Sequence, residues 1–256
     1  MGKIIAVSNQ KGGVGKTTTS VNLSACVADA GKRVLLIDID PQGNASSGLG
    51  HTDKDAPSVY PVIIGEMEAE KAIVNTGFGE LDLLPSSIDL SGAEIELVAM
   101  PGRETLLREA LKPLKERYDY IFIDCPPSLS LLTLNAMTAA DSVLIPIQCE
   151  YYALEGVGQL MNTLQLVKKR LNPGLEIEGV VLTMLDGRTN LGLQVVQEVK
   201  KYFKGRVYSS IIPRNVRLSE APSHGMPIHV YDARSTGANA YRELAEEFIE
   251  WNEEED

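Results

Sequence analysis

Apolar residues along this chain fall into short unbroken runs, set between longer segments in which they recur every three or four positions. A run too short for helical periodicity and bounded by turn formers reads as a strand buried on both faces. By that rule residues 4–7, 33–40, 81–84, 120–124, 142–147, 177–183 and 207–212 predict seven strands. Between them lie helical patterns. One opens near residue 16 and places Val21, Leu23, Cys26 and Val27 on a face, and another at 154–171 turns Leu160, Leu164 and Val167 inward. Residues 93–99 and 104–114 predict two more helices, and 58–64 and 69–74 short helical turns. The last helix, 236–251, is amphipathic through Tyr241, Leu244, Ala245, Phe248 and Ile249, with a frayed acidic tail at 253–256. Strands alternating with helices imply a mostly parallel, twisted α/β sheet covered on both faces. At 256 residues, one domain spanning 1–256 accommodates all of it.

The first strand runs into Lys11, Gly12, Gly13, Val14, Gly15, Lys16, Thr17 and Thr18, and then into a helix. Strand, glycine-rich loop and helix make a phosphate-binding layout. Glycines let backbone N–H groups turn toward the anion, and the helix aims its positive end at it. Lys16 would reach the β/γ-phosphates and the Thr17 hydroxyl would sit on Mg²⁺. The strict spacing puts a glycine at position 10, where Gln10 stands, and adds a second lysine at Lys11.

Two other strands end in carboxylates, at Asp38 and Asp40 and at Asp124. Ligands in open α/β sheets bind beyond the carboxyl ends of the strands. Asp38 and Asp40 alternate and so share a side of an extended strand; a plain polar strand terminus fits them as well. An apolar strand closed by Asp124 has the form that holds a Mg²⁺ shell through water. Pro126 and Pro127 forbid a helix directly after it.

The formal charge of −11 argues against a generic nucleic-acid coat, but residues 199–219 hold six cations and no carboxylate. The residues alone leave two readings, a solvated helix face with loop arginines or a patch for phosphate backbone. Cys26, Cys125 and Cys149 are odd in number and widely spaced, so they read as buried apolar residues in a reducing compartment. The chain enters a strand by residue 4 and carries no apolar run of about 18 residues, which predicts a cytoplasmic protein without signal peptide or membrane span.

The loop with its second lysine resembles the deviant Walker A loop of the ParA/MinD group of ATPases. The resemblance extends through Asp38-Ile39-Asp40-Pro41-Gln42-Gly43-Asn44, Asp124-Cys125-Pro126-Pro127-Ser128, Pro213-Arg214-Asn215 and Leu218-Ser219-Glu220-Ala221-Pro222-Ser223-His224-Gly225. It is similar to the Soj/ParA chromosome- and plasmid-partitioning ATPases. The resemblance implies a Mg²⁺-dependent ATP switch in which Lys11 reaches the partner protomer's nucleotide. Asp40 would orient the attacking water, Asp38 support Mg²⁺ and the switch, and Pro213 and Asn215 lie against adenine. Thr183-Met184-Leu185-Asp186 resembles the guanine-reading motif of GTPases without its lysine, which favours adenine.

The same resemblance implies an ATP-dependent homodimer that binds double-stranded DNA without sequence preference. Lys200, Lys201, Lys204, Arg206 and Arg217, with Arg188, are the expected contacts. A ParB-type centromere-binding protein would stimulate hydrolysis, and the protein would be nucleoid-associated. Two alternatives share parts of the pattern. A MinD-like membrane-associated regulator needs a basic terminal helix, whereas after Arg242 this chain has eight carboxylates and no base. A relative of the nitrogenase iron protein needs paired cluster cysteines, and the spacing here supplies none.

Overall fold

The computed structural model describes residues 2–53, 55–150, 155–186 and 190–255. Its strands are β1 (Lys3–Val7), β2 (Val34–Asp38), β3 (Val74–Asn75), β4 (Leu81–Leu84), β5 (Tyr120–Asp124), β6 (Ser142–Gln148) and β7 (Glu176–Thr183). The helices are α1 (Lys16–Asp29), α2 (Asn44–Gly48), α3 (Val59–Ile63), α4 (Leu90–Ala99), α5 (Leu106–Leu111), α6 (Leu131–Ala139) and α7 (Glu155–Arg170). They continue with α8 (Asn190–Phe203), α9 (Val216–Glu220), α10 (Ile228–Tyr231) and α11 (Thr236–Glu255).

The strands form one sheet in the order β3-β4-β2-β5-β1-β6-β7. Every pairing is parallel except that of β3 with β4. Side chains alternate between two cores. Ile4, Ala6, Leu35, Ile37, Ile121 and Ile123 face one side, with α4, α5 and α6 over them. Ile5, Val7, Leu36 and Phe122 face the other, under α1 and α11. Burying a large aliphatic or aromatic side chain stabilises by about 1.5–3 kcal/mol, and rows buried on both faces hold the strand ends in fixed register. That register pairs Val7 and Asp38 each with Asp124. Three central strands therefore end side by side.

Some expected elements differ. Residues 207–212 form no strand: Val207 makes only an isolated parallel bridge to Val180, and Pro213 one to Leu185. The ladder fails because the Glu247 carboxylate of α11 accepts the Ser209 and Ser210 backbone N–H groups at 2.7 and 3.0 Å. The seventh strand is instead the two-residue antiparallel β3, where a helical turn was expected; that turn is the shorter 3-10 segment Ala69–Lys71. β2 stops at Asp38, so Asp40 lies past the strand in a turn. The helix expected over 104–114 ends at Leu111 and tightens into a 3-10 turn, Lys112–Glu116, because Pro113 has no N–H to continue it. α6 carries no strong amphipathic stripe and was not expected. α11 continues past residue 251 to Glu255, tied down by Lys32–Glu253 at 2.7 Å and by the Asn252 side chain on Glu178 at 2.8 Å.

Candidate functional site

The loop after β1 is held at its root by its own Asn9 and by Thr183 at the end of β7. Asn9 donates from Nδ2 to the Pro146 carbonyl at 2.8 Å and accepts from the Lys11 N–H at 3.1 Å. Thr183 Oγ1 donates to the Val14 carbonyl at 2.8 Å. Gly13 and Gly15 take φ of 73° and 88°, in the left-handed region that side chains resist. A Cβ built on Gly12 or Gly13 meets nothing within 4 Å, so the loop is an open cradle. Gly15 is the N-cap of α1 and offers no side chain there, which leaves the first N–H groups of that helix pointing at the cradle.

Lys16 is buried, and its Nζ donates to the Lys11 carbonyl at 3.0 Å. Burial pulls its ammonium below the usual lysine range, opposed by the charges of Asp124 and Asp40. Thr17 Oγ1 donates to Asp124 Oδ2 at 2.8 Å and Ser20 Oγ to Asp124 Oδ1 at 2.7 Å. Asp38 and Asp124 are fully buried neighbours in the sheet, and burial raises both carboxyls above the ordinary range. The charge of Asp38 pushes Asp124 further up, while hydrogen bonds from Ser46 and from the Asp40 N–H hold Asp38 back. Two adjacent buried acids with no cation between them favour a divalent ion. Among the described residues no group of three or more His, Cys, Asp or Glu side chains encloses an ion site. Mg²⁺ keeps waters and phosphate oxygens and takes few protein ligands, so the Thr17 hydroxyl with one or two carboxylates is a sufficient donor set for it.

Asp40 reaches the same edge two residues beyond β2. Its N–H donates to Asp38 Oδ1 at 3.1 Å, its Oδ1 accepts from the Gln42 N–H at 3.0 Å, and its carbonyl accepts from Ser86 Oγ at 2.7 Å. Ser46 Oγ donates to Asp38 Oδ2 at 2.7 Å and accepts from the Ser86 N–H at 3.0 Å. Ser20, Ser46 and Ser86 join the site without any motif in the sequence that points to them. Serines on strand ends and helix starts carry no spacing signal; only the register of β2, β4 and β5 brings these together.

Beside the cradle lies a cleft of about 270 Å³ lined by Gly15, Thr18, Thr183, Pro213, Asn215 and Leu218. Asn215 caps α9 by accepting from the Arg217 N–H at 2.8 Å, and donates to Thr236 Oγ1 at 2.7 Å. A larger trough of about 910 Å³ opens at the opposite, N-terminal edge of the strands, away from all of these groups.

The expected DNA-contact residues are less uniform. Lys200 and Lys201 are exposed on the last turn of α8, and Lys204 follows it with φ of 39°. Arg206 lies 3.9 Å from Glu176, and Arg217 pairs with Glu220 at 2.7 Å and with Asp232 at 3.5 Å. Arg188 lies outside the described residues.

A parallel sheet whose central strand feeds a glycine cradle, with buried acids on its neighbours, defines a nucleotide-binding α/β protein of the phosphate-loop class. The AAA domain family matches residues 2–177. The sporulation initiation inhibitor protein Soj of Bacillus subtilis is 63% identical over 96% of this chain and 98% of its own length. Chromosome partitioning protein ParA of Myxococcus xanthus is 55% identical over 97% of this chain and 88% of its own. The chain belongs to the Soj/ParA family of chromosome-partitioning proteins. Among solved structures, cobyrinic acid a,c-diamide synthase of Mycobacterium smegmatis with bound ADP and magnesium superposes with a TM-score of 0.86. It is 41% identical, covering 98% of this chain and 96% of that one.

Proposed function

We propose that the chain is a Mg²⁺-dependent ATP hydrolase that closes into a dimer on ATP, binds DNA without sequence preference and drives partitioning with a ParB-type partner. The observation that carries the reading is the edge where Lys16, Thr17, Asp38, Asp40 and Asp124 converge beside the open cradle. Lys16 and the loop N–H groups would take the β/γ-phosphates, and Thr17 with Asp124 and Asp38 would hold Mg²⁺, which supplies charge neutralisation at the phosphates. Asp40 would orient the attacking water, its backbone fixed by Asp38 and Ser86. Adenine would occupy the cleft beside Pro213 and Asn215. Lys11 would reach the partner protomer's nucleotide.

The 63% identity to Soj, against 41% to the diamide synthase, favours partitioning over a biosynthetic role. A MinD-like membrane regulator shares the fold, but its membrane contact is not supplied here. The solvent side of α11 is acidic where an interfacial helix needs cations.

The test is DNA affinity against salt with ATP, ADP and no nucleotide. Each phosphate neutralised adds about 0.9 to the slope of log affinity against log salt, so a dimer with doubled contacts gives a steep slope with ATP and a shallow one with ADP. Asp40→Ala should bind ATP, lose hydrolysis by about a hundredfold or more, and stay on DNA. Equal DNA affinity in both nucleotide states would overturn the reading.

A further inference from the structure

α4 buries Leu90, Ala93 and Leu97 against the core, as an amphipathic helix should. Its outer face is apolar as well. Ile88, in the turn that leads into the helix, is 68% exposed, Ile95 79% and Val98 59%. Ile95 and Val98, three apart on the helix, share a side, and Ile88 stands in the turn that leads into it. A helix apolar on both faces is ordinarily covered on both. Three large aliphatic side chains are left open on this side of the molecule, where large exposed apolar groups together mark a partner site.

Beside these side chains stand carboxylates. Tyr60 donates its hydroxyl to Glu96 Oε1 at 3.0 Å, and Glu66 and Asp89 lie close enough to act on the same phenol, all three pushing its pKa up. Arg103 sits at the far end, bonded to the Val98 carbonyl and paired with Glu104. The face therefore offers exposed aliphatic side chains with an acidic margin. A second copy turned onto it would set those carboxylates against themselves, which disfavours self-association. The complement is a cationic segment with its own apolar stripe.

We infer that the outer face of α4 docks a basic amphipathic helix of a partner protein, its apolar side on Ile88, Ile95 and Val98 and its cations toward Asp89 and Glu96. The helix-in-groove mode reads such stripes through anchors three, four and seven apart. The surface is joined to the candidate site by the short stretch ahead of it, since Ser86, two residues before Ile88, holds both Ser46 and the Asp40 carbonyl. Docking does not require the proposed ATPase function, but the link through Ser86 is the route by which it would act on that function.

The probe is a labelled synthetic helix of about twenty residues with leucines on one face and lysines flanking them, titrated against the full chain by fluorescence anisotropy. A second peptide carries glutamates in place of the lysines. The lysine peptide is expected to bind and the glutamate peptide not to. Ile95→Asp and Glu96→Lys should each weaken binding about tenfold or more, while Glu254→Lys at the end of α11 leaves it unchanged. Equal binding of both peptides, no binding of the lysine peptide, or an equal loss with Glu254→Lys would overturn the inference. So would a dimer of the ADP form that Ile95→Asp dissolves, since a second copy would then own the face. Basal ATP hydrolysis of Ile95→Asp should match wild type. Absence of hydrolysis in the wild type would sink the proposed function and leave the peptide result standing.

Discussion

The two edges of the sheet treat charge in opposite ways. At the N-terminal edge charged groups are matched to each other. Lys3 pairs with the buried Glu178 at 2.8 Å, and Glu178 also accepts from Asn252 at 2.8 Å and from Ser142. Lys115 pairs with Asp141 at 2.8 Å, and Arg33 with Asp119 at 2.7 Å. At the C-terminal edge, among the described residues, Asp38, Asp40, Asp124 and Lys16 make no ion pair. The acids accept only from hydroxyl and amide groups, and the lysine donates to a carbonyl. One edge completes itself and serves stability. The other is left electrically incomplete, and a phosphate with its metal ion would complete it. The larger trough lies at the completed edge, so volume alone points to the wrong end of the molecule.

The sharpest way to separate the edges is Lys16→Ala. It should lower ATP affinity about a hundredfold or more by calorimetry, with the urea midpoint of the ligand-free protein unchanged or raised, because a buried ammonium is removed. Normal affinity would break the comparison.

A pH series follows. Burial raises the Asp38 and Asp124 carboxyls from 3.8, so the folded protein holds protons that the unfolded chain has released. That contribution to stability is present below the unfolded value and is lost as pH rises from there toward neutrality. Relative to Asp124→Asn, the ligand-free wild type should lose unfolding free energy across that window, and Mg²⁺ with ATP, which the variant would hold less well, should stabilise the wild type more than the variant. A flat difference would mean that these acids are not strained by burial.

Glu178→Ala tests the other edge. It removes the partner of Lys3 and Asn252 and should cost about 2 kcal/mol in urea unfolding, with ATP affinity unchanged. The smallest effect is expected for Ser46→Ala, which deletes one bond to Asp38 and one from the Ser86 N–H. It should slow hydrolysis several-fold while costing about 1 kcal/mol of stability. A loss of hydrolysis as large as that of Asp40→Ala would place Ser46 among the reacting groups.

Much of the C-terminal edge could be read from the chain. The cradle declares itself because glycines, Lys16 and Thr17 are adjacent in sequence, and Asp38 and Asp124 because each closes an unbroken apolar run. The serines could not be found that way. Ser46 and Ser86 stand forty residues apart and meet only because β2 and β4 pair in register. Residues 207–212 misled for a related reason. Their apolar content suits a strand, but whether the ladder closes is decided by Glu247 on a helix some forty residues further on. β3 escaped because two residues are too few to show a period.

Glu247 has a consequence outside nucleotide chemistry. A sheet with an open border is a template on which another molecule can add its own strand, the first step toward insoluble fibrils. Here one border is the two-residue β3, and beyond β7 the neighbouring backbone at Ser209 and Ser210 has its amides claimed by a carboxylate. A sheet that gives a neighbour so little backbone to grip keeps an encounter between two copies from passing into strand exchange.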